Sequence, residues 1–158
     1  MRVHIHIASQ RLELITENGV QTWPVSTAAR GVGEQKGSYC TPRGAHVIRA
    51  RIGADCPINS VFVGRRATGE IYTPELGRAQ PDRDWILTRI LWLSGREPGF
   101  NRLGDCDTMQ RYIYIHGTPD EVFAPRPLSH GCIRMRNADL IALFAQVSAG
   151  TPVLITEE

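Results

Sequence analysis

The first twenty-six residues alternate apolar and polar positions, and that period fits extended chain only. Val3, Ile5 and Ile7 interleave with His4 and His6, and Leu12 and Leu14 flank Glu13 within Arg11–Thr16. A period of two puts each set on one face of a strand, whereas a helix would scatter the apolar residues around its surface. Gln10 falls at the turn between the two runs. Asn18-Gly19 is a hairpin signal, because both central residues of the favoured tight turn need positive φ. Val20 to Ser26 reads as the returning strand, so the chain opens as a β-meander. On this reading His4 and His6 stand on a solvent-facing strand edge that could pair with a second copy.

Further strands are expected at Ala45–Ile52, Val61–Val63, Trp85–Leu93, Tyr112–His116 and Pro152–Thr156, each an apolar or β-branched run. Between them lie a Gly/Ser/Ala-rich loop over residues 27–44, ending in Thr41-Pro42-Arg43-Gly44, and an irregular stretch, Thr68–Asp84, with Pro74 and Pro81. Two more loops follow, polar Gly95–Asp107 and residues 117–131 with Pro119, Pro125 and Pro127. One helix is expected. Asn137 caps it, Leu140, Ile141, Leu143, Phe144 and Val147 form its apolar stripe, and Gly150 ends it. A mainly β chain of 158 residues, with one helix in its C-terminal half, suits a single domain spanning residues 1–158.

Composition removes several classes. Hydrophobic content of 42% and charged content of 22% are those of an ordinary globular chain. The net charge is only +2 and the arginines form no run, so nothing argues for nucleic acid. No stretch approaches the ~18 consecutive apolar residues of a membrane span. The alternating N-terminus has no apolar core of a secretory signal, so a cytosolic location is expected. The four cysteines, Cys40, Cys56, Cys106 and Cys132, include no C-x-x-C pair. Zinc-ribbon and thioredoxin readings therefore fall away, and free thiols are expected, with Cys40, Cys56 and Cys106 as small semi-apolar fillers. His46 reads as a strand or loop filler.

Chemistry concentrates in Ser129-His130-Gly131-Cys132-Ile133-Arg134, with His116-Gly117 upstream. A thiolate is a nucleophile, and a nearby imidazole can generate it by taking the thiol proton. Gly131 leaves room for a substrate backbone to approach. The amides of Gly131 and Cys132 could form an oxyanion hole, each such donor typically contributing about 2.7–4 kcal/mol. His116 falls at a strand end, and the carbonyl of Gly117 can accept its ring N–H and fix the tautomer, as a triad aspartate does elsewhere. Covalent acyl transfer is the chemistry this pattern suggests.

The same residues resemble the catalytic domain of the YkuD family of L,D-transpeptidases, whose pattern is a His, a spacer, then Ser/Thr-His-Gly-Cys, an apolar residue and Arg or Asn. His116, Ser129, His130, Gly131, Cys132, Ile133 and Arg134 fill it. Thr41-Pro42-Arg43-Gly44 looks like the family's upstream T-P-x-G turn, and Gly150-Thr151-Pro152-Val153 like its last strand. One departure is His46, where the family usually carries an aromatic, which puts substrate packing there in question. The resemblance implies a β-sandwich-like fold and peptidoglycan stem peptides or muropeptides as substrates. It implies no cofactor or metal, although His116, His130 and Cys132 are zinc-competent residue types. By position, Cys132 would be the nucleophile attacking the L-centre before a terminal D-Ala, and His116 the base and later the acid. Gly117 would orient His116, and backbone groups of His130, Gly131 and Cys132 would line the oxyanion site. Arg134 would steady the loop or bind a substrate carboxylate, Ser129 would contact substrate, and Tyr114 would line the cleft. Carbapenem β-lactams are the expected covalent inhibitors.

The thioester has two fates. Water gives L,D-carboxypeptidation, and an amine gives transpeptidation, with 3-3 cross-links or D-amino acid exchange. The bare N-terminus and an apparent insertion at Arg83–Asn101, placed to narrow the cleft, favour a cytosolic L,D-carboxypeptidase in murein recycling. A transpeptidase and an inactive peptidoglycan-binding module are the alternatives.

Overall fold

The computed structural model describes all residues, Met1–Glu158. Ten strands belong to one hydrogen-bonded sheet: β1 (Arg2–His6), β2 (Arg11–Thr16), β3 (Gly19–Pro24), β4 (Gly44–Ile52), β5 (Ser60–Val63), β6 (Arg66–Ile71), β7 (Ile86–Gly95), β8 (Tyr114–Thr118), β9 (Ile133–Arg136) and β10 (Pro152–Thr156). The path runs β3-β2-β1-β10-β4-β7-β5-β6, and β8 and β9 continue from the other side of β7. The sheet curls until β9 meets the residues after β3: the amide of Ser26 donates to Arg134 O at 2.9 Å and that of Arg134 to Ser26 O at 2.8 Å. Curling wraps nineteen buried apolar residues into one core, among them Val3, Ile5, Leu12, Leu14, Leu91 and Ile133. This is the mainly β, sandwich-like fold expected. The expected hairpin forms, but its central residues are Glu17 and Asn18, neither at positive φ; Gly19, at φ +127°, pairs with Thr16 and opens β3.

Two helices are present. α1 (Pro74–Ala79) lies in the stretch expected to be irregular; its signal is Thr73-Pro74-Glu75, with the Thr73 hydroxyl accepting the Leu76 amide at 3.1 Å and Pro74 in the first turn. α2 (Asn137–Phe144) packs Leu140, Leu143 and Phe144 into the core. Asn137 is its first residue and not its cap, which is Arg136. The Asn137 side chain is buried and engaged elsewhere: Nδ2 donates to Thr118 O at 2.9 Å, and Oδ1 accepts from the Thr88 hydroxyl at 2.6 Å. The helix ends at Phe144. Val147 packs in the core beyond it, and Gly150, at φ +97°, serves the turn into β10.

Three further expectations change. β1 lies between β2 and β10, so His4 and His6 are on the outer face of an interior strand and not on an edge. Arg83–Asn101 is no insertion, because it contains β7, which pairs with β4, β5 and β8. β6 was not anticipated at all; its sequence, RATGEI, lacks an apolar face and is almost wholly exposed.

Candidate active site

β8 and β9 are parallel, with Ile115 opposite Ile133 and His116 opposite Arg134. The same register places Cys132, one residue before β9, beside Tyr114. That strand pair converts a long sequence separation into proximity. Cys132 therefore directly precedes β9, a strand not expected from the sequence. His116 lies within β8 and not at its end.

The histidine is held by the sheet. His116 is buried, and its Nδ1 lies 2.6 Å from the carbonyl oxygen of Gly117. With Nδ1–H donating there, Nε2 carries the free lone pair. Gly117 has no room for a side chain: a Cβ would sit 2.2 Å from Asn137 Oδ1 and 2.6 Å from Leu87 O. Opposite, β7 breaks register between Leu87 and Ile90. Thr88 in that bulge takes φ +76°, a strained conformation for a β-branched residue, fixed by hydrogen bonds to Asn137 and from the Asn59 amide.

The cysteine is held by side-chain hydrogen bonds. The Ser129 hydroxyl donates to Cys132 O at 2.5 Å and accepts the Gly131 amide at 3.2 Å. Thr41, from the upstream turn, donates to Gly131 O at 2.9 Å and accepts the Ala28 amide at 3.0 Å. Arg111 Nη2 donates to Cys40 O at 2.7 Å. A Cβ on Gly131 would approach Cys40 O and Ile113 Cδ1 to 3.2 Å, and its φ is +129°. Close packing and backbone conformation, and not substrate access, thus account for this glycine. Its amide is taken by Ser129, so Gly131 offers no oxyanion donor; the amides of His130 and Cys132 donate to no protein acceptor. Ser129 is buried with its hydroxyl engaged, so it orders the loop and is not free to bind substrate.

The Cys132 thiol lies 3.4 Å from Tyr112 O as donor and 3.3 Å from the Tyr114 amide as acceptor. Burial pushes its pKa up to about 12, against the opposing pull of the Tyr114 amide and of Arg134 and Arg111. Burial also holds His116 below its ordinary 6.5, opposed by the Gly117 carbonyl and Asp84. The two shifts favour a neutral Cys132 thiol and a neutral His116 imidazole over the ion pair. Both line a cavity of about 430 Å³ with Tyr114, Arg65, Arg111 and Asp84. A second cavity of about 480 Å³, walled by Tyr72, Trp85, Glu121 and Val122, shares Asp84, His130 and Arg134 with the first. Arg134 pairs with Asp84 at 3.6 Å, between the two. His130 is exposed and meets the Tyr39 ring edge-on at 6.2 Å. The Tyr114 hydroxyl accepts from Arg65 at 3.0 Å. Sequence reasoning missed Asp84, Arg65 and Arg111, which sit in no motif; Thr41 was within a recognised motif, but its bond to Gly131 was not foreseen. His46 is buried on β4, its ring nitrogens bonded to Gly44 O and the Thr108 hydroxyl, and lines neither cavity.

A curled β fold carrying a half-buried cysteine and a buried histidine in one cavity has the parts of a thiol acyl-transfer site. The family model for YkuD, the L,D-transpeptidase catalytic domain, matches residues 1–155, and the chain belongs to this family. A Bacillus subtilis (strain 168) protein named as a candidate L,D-transpeptidase, YqjB, is 41% identical over 66 residues, 42% of this chain and 36% of that one. Mycobacterium tuberculosis L,D-transpeptidase 3, solved with a faropenem-derived adduct, superposes with a TM-score of 0.59 at 15% identity, over 98% of this chain and 59% of that one. The L,D-transpeptidase LdtMt1 in complex with imipenem gives 0.56 at 16% identity, over 98% and 57%. At these identities the structural likeness is one of fold, and the chain spans under two thirds of each relative's length.

Proposed function

We propose that this domain transfers the acyl group of peptidoglycan stem tetrapeptides from D-Ala to an amine through a thioester on Cys132. The observation that carries the amine acceptor is the pair of cavities meeting at His130, Arg134 and Asp84: one holds the thiol and His116, and the other opens next to it with room for a second peptide. On attack, the thiol turns from Tyr112 O and gives its proton to Nε2 of His116 as sulfur bonds the carbonyl carbon of the L-centre. The free amides of His130 and Cys132 take the charge developing on the carbonyl oxygen. Collapse breaks the C–N bond, and His116 returns the proton to the departing D-Ala amine. The incoming amine gives a proton to His116 and attacks the thioester, and the thiol leaves protonated. Arg134 and Arg65 face this space with positive charge suited to a stem carboxylate. β-Lactams acylate the same sulfur, in keeping with the imipenem and faropenem complexes of the relatives.

Hydrolysis, the carboxypeptidase route, uses the same thioester with water in the second cavity. An enzyme of soluble, recycled stems would work in the cytosol, and one that joins stems would work in the wall. Incubating the protein with a tetrapeptide muropeptide and excess D-amino acid separates the two. Exchanged or cross-linked product is expected to dominate; tripeptide as the main product would overturn the amine acceptor, and no product with either acceptor would overturn acyl transfer. Imipenem should add covalently to the protein and not to Cys132→Ala.

A further inference from the structure

Away from the cavities, on the outer face of the sheet, three metal-competent side chains converge. His4 and His6 leave β1 on the same face, and Glu13 sits directly opposite His4 on β2. One ligand atom from each lies within 4.8 Å of those of the other two. The two rings stack at 3.8 Å between centroids, and His6 Nε2 is 2.5 Å from Glu13 Oε1. His4 Nε2 lies 2.9 Å from the Thr156 hydroxyl on β10.

We propose that His4, His6 and Glu13 form a binding site for a divalent transition metal, with Zn²⁺ the best fit, which clamps β1 to β2. Two imidazoles and one carboxylate are a borderline donor set suited to a tetrahedral ion with water in the fourth position. Ligands about 2.0–2.1 Å from such an ion stand roughly 3.3 Å apart, so His6 and Glu13 need to open by less than an ångström. The ion replaces the proton now shared between His6 and Glu13, which leaves to solvent. With Nε2–H given to Thr156, Nδ1 of His4 holds the free lone pair, and the hydroxyl acts as the outer partner that fixes a ligand ring. Arg2 and Arg11 oppose a cation here, Arg11 Nε lying 3.9 Å from Glu13 Oε2, and they tune affinity downward.

The test uses the Cys132→Ala protein, so that the active-site thiol cannot compete. Titration with Zn²⁺ should give one ion per chain and a rise in Tm that a chelator reverses. Co²⁺ should give visible d–d bands without the intense ultraviolet sulfur charge-transfer band that the remaining thiols would produce. Affinity should fall by about 100-fold or more in His4→Gln or His6→Gln, beyond the 10–100-fold typical of losing an outer partner, which is the loss expected for Thr156→Val. Ring ¹⁵N resonances offer a check that needs no ligand variant: Zn²⁺ should shift those of His4 and His6 and leave His46 and His116 in place. No binding of Zn²⁺ or Co²⁺, binding unaltered in the His4→Gln/His6→Gln double variant, or ring shifts at other histidines would each overturn the site.

Discussion

The two halves of the active site are built by different means. His116 is carried inside a sheet strand and fixed by shape, with Gly117 pressed against Leu87 O and Asn137 and a strained bulge opposite. Cys132 ends a loop and is fixed by hydroxyl hydrogen bonds from Ser129 and, through Gly131, from Thr41. The base is thus intolerant of added volume, and the nucleophile is intolerant of lost polarity. Steric and polar substitutions should separate the two.

The largest effect is expected at Gly117→Ala. Its methyl would overlap backbone, which rotamer changes cannot relieve, so destabilisation of about 3 kcal/mol or more should appear in denaturant unfolding, with activity lost. His116→Gln fills the same space and should fold, yet lose roughly 100-fold or more in acylation by imipenem, followed by mass spectrometry. Unchanged acylation would assign the base elsewhere. On the cysteine side, Thr41→Val strands Gly131 O and the Ala28 amide and should cost about 1–3 kcal/mol, with Thr41→Ser restoring most of it. Gly131→Ala also strains the cysteine loop, because φ is +129° and a Cβ would approach Cys40 O to 3.2 Å, so the polar contribution is read most cleanly at Thr41.

Two pH effects appear only on the acid side. His116 must be neutral to act as base, and its pKa lies below 6.5, so acylation should stay flat through neutrality and fall only on the acid side of 6.5. His46 provides a buried histidine outside the site. Burial depresses it to about 4, so the unfolded chain takes up the proton first as pH falls. Its stabilising contribution is complete above pH 6.5 and is lost between 6.5 and about 4, reaching roughly 3 kcal/mol. His46→Gln should flatten that part of the stability profile without altering the pH dependence of acylation.

Much of the fold was legible because the strands that bury a face carry period-two sequences. β1, β2 and β10 alternate cleanly, and Asn18-Gly19 marks its hairpin. β6 was not legible because it buries nothing, and α1 was hidden by reading Pro74 as a breaker where it is a helix-starting residue. Asn137 has the composition of a cap, but the bulge at Thr88 and the end of β8 claim its side chain. In the site, Cys132, His116 and Gly117 were found from residue chemistry and spacing. Asp84, Arg65 and Arg111 were not, since each reaches the cavity from a separate segment.

The amino-acid sequence on its own determined the β class, the thiol, its histidine and the glycine whose carbonyl orients that ring, because these follow from periodicity and from residue chemistry within short segments. Only the tertiary structure decided that the Gly131 amide is consumed by Ser129, that Thr41 braces the loop, and that two cavities meet at Arg134. It also decided that His4 and His6 face Glu13 from an interior strand. These are contacts between strands brought together by curling and register, and register is set by the packing of the whole sheet, which no local segment encodes.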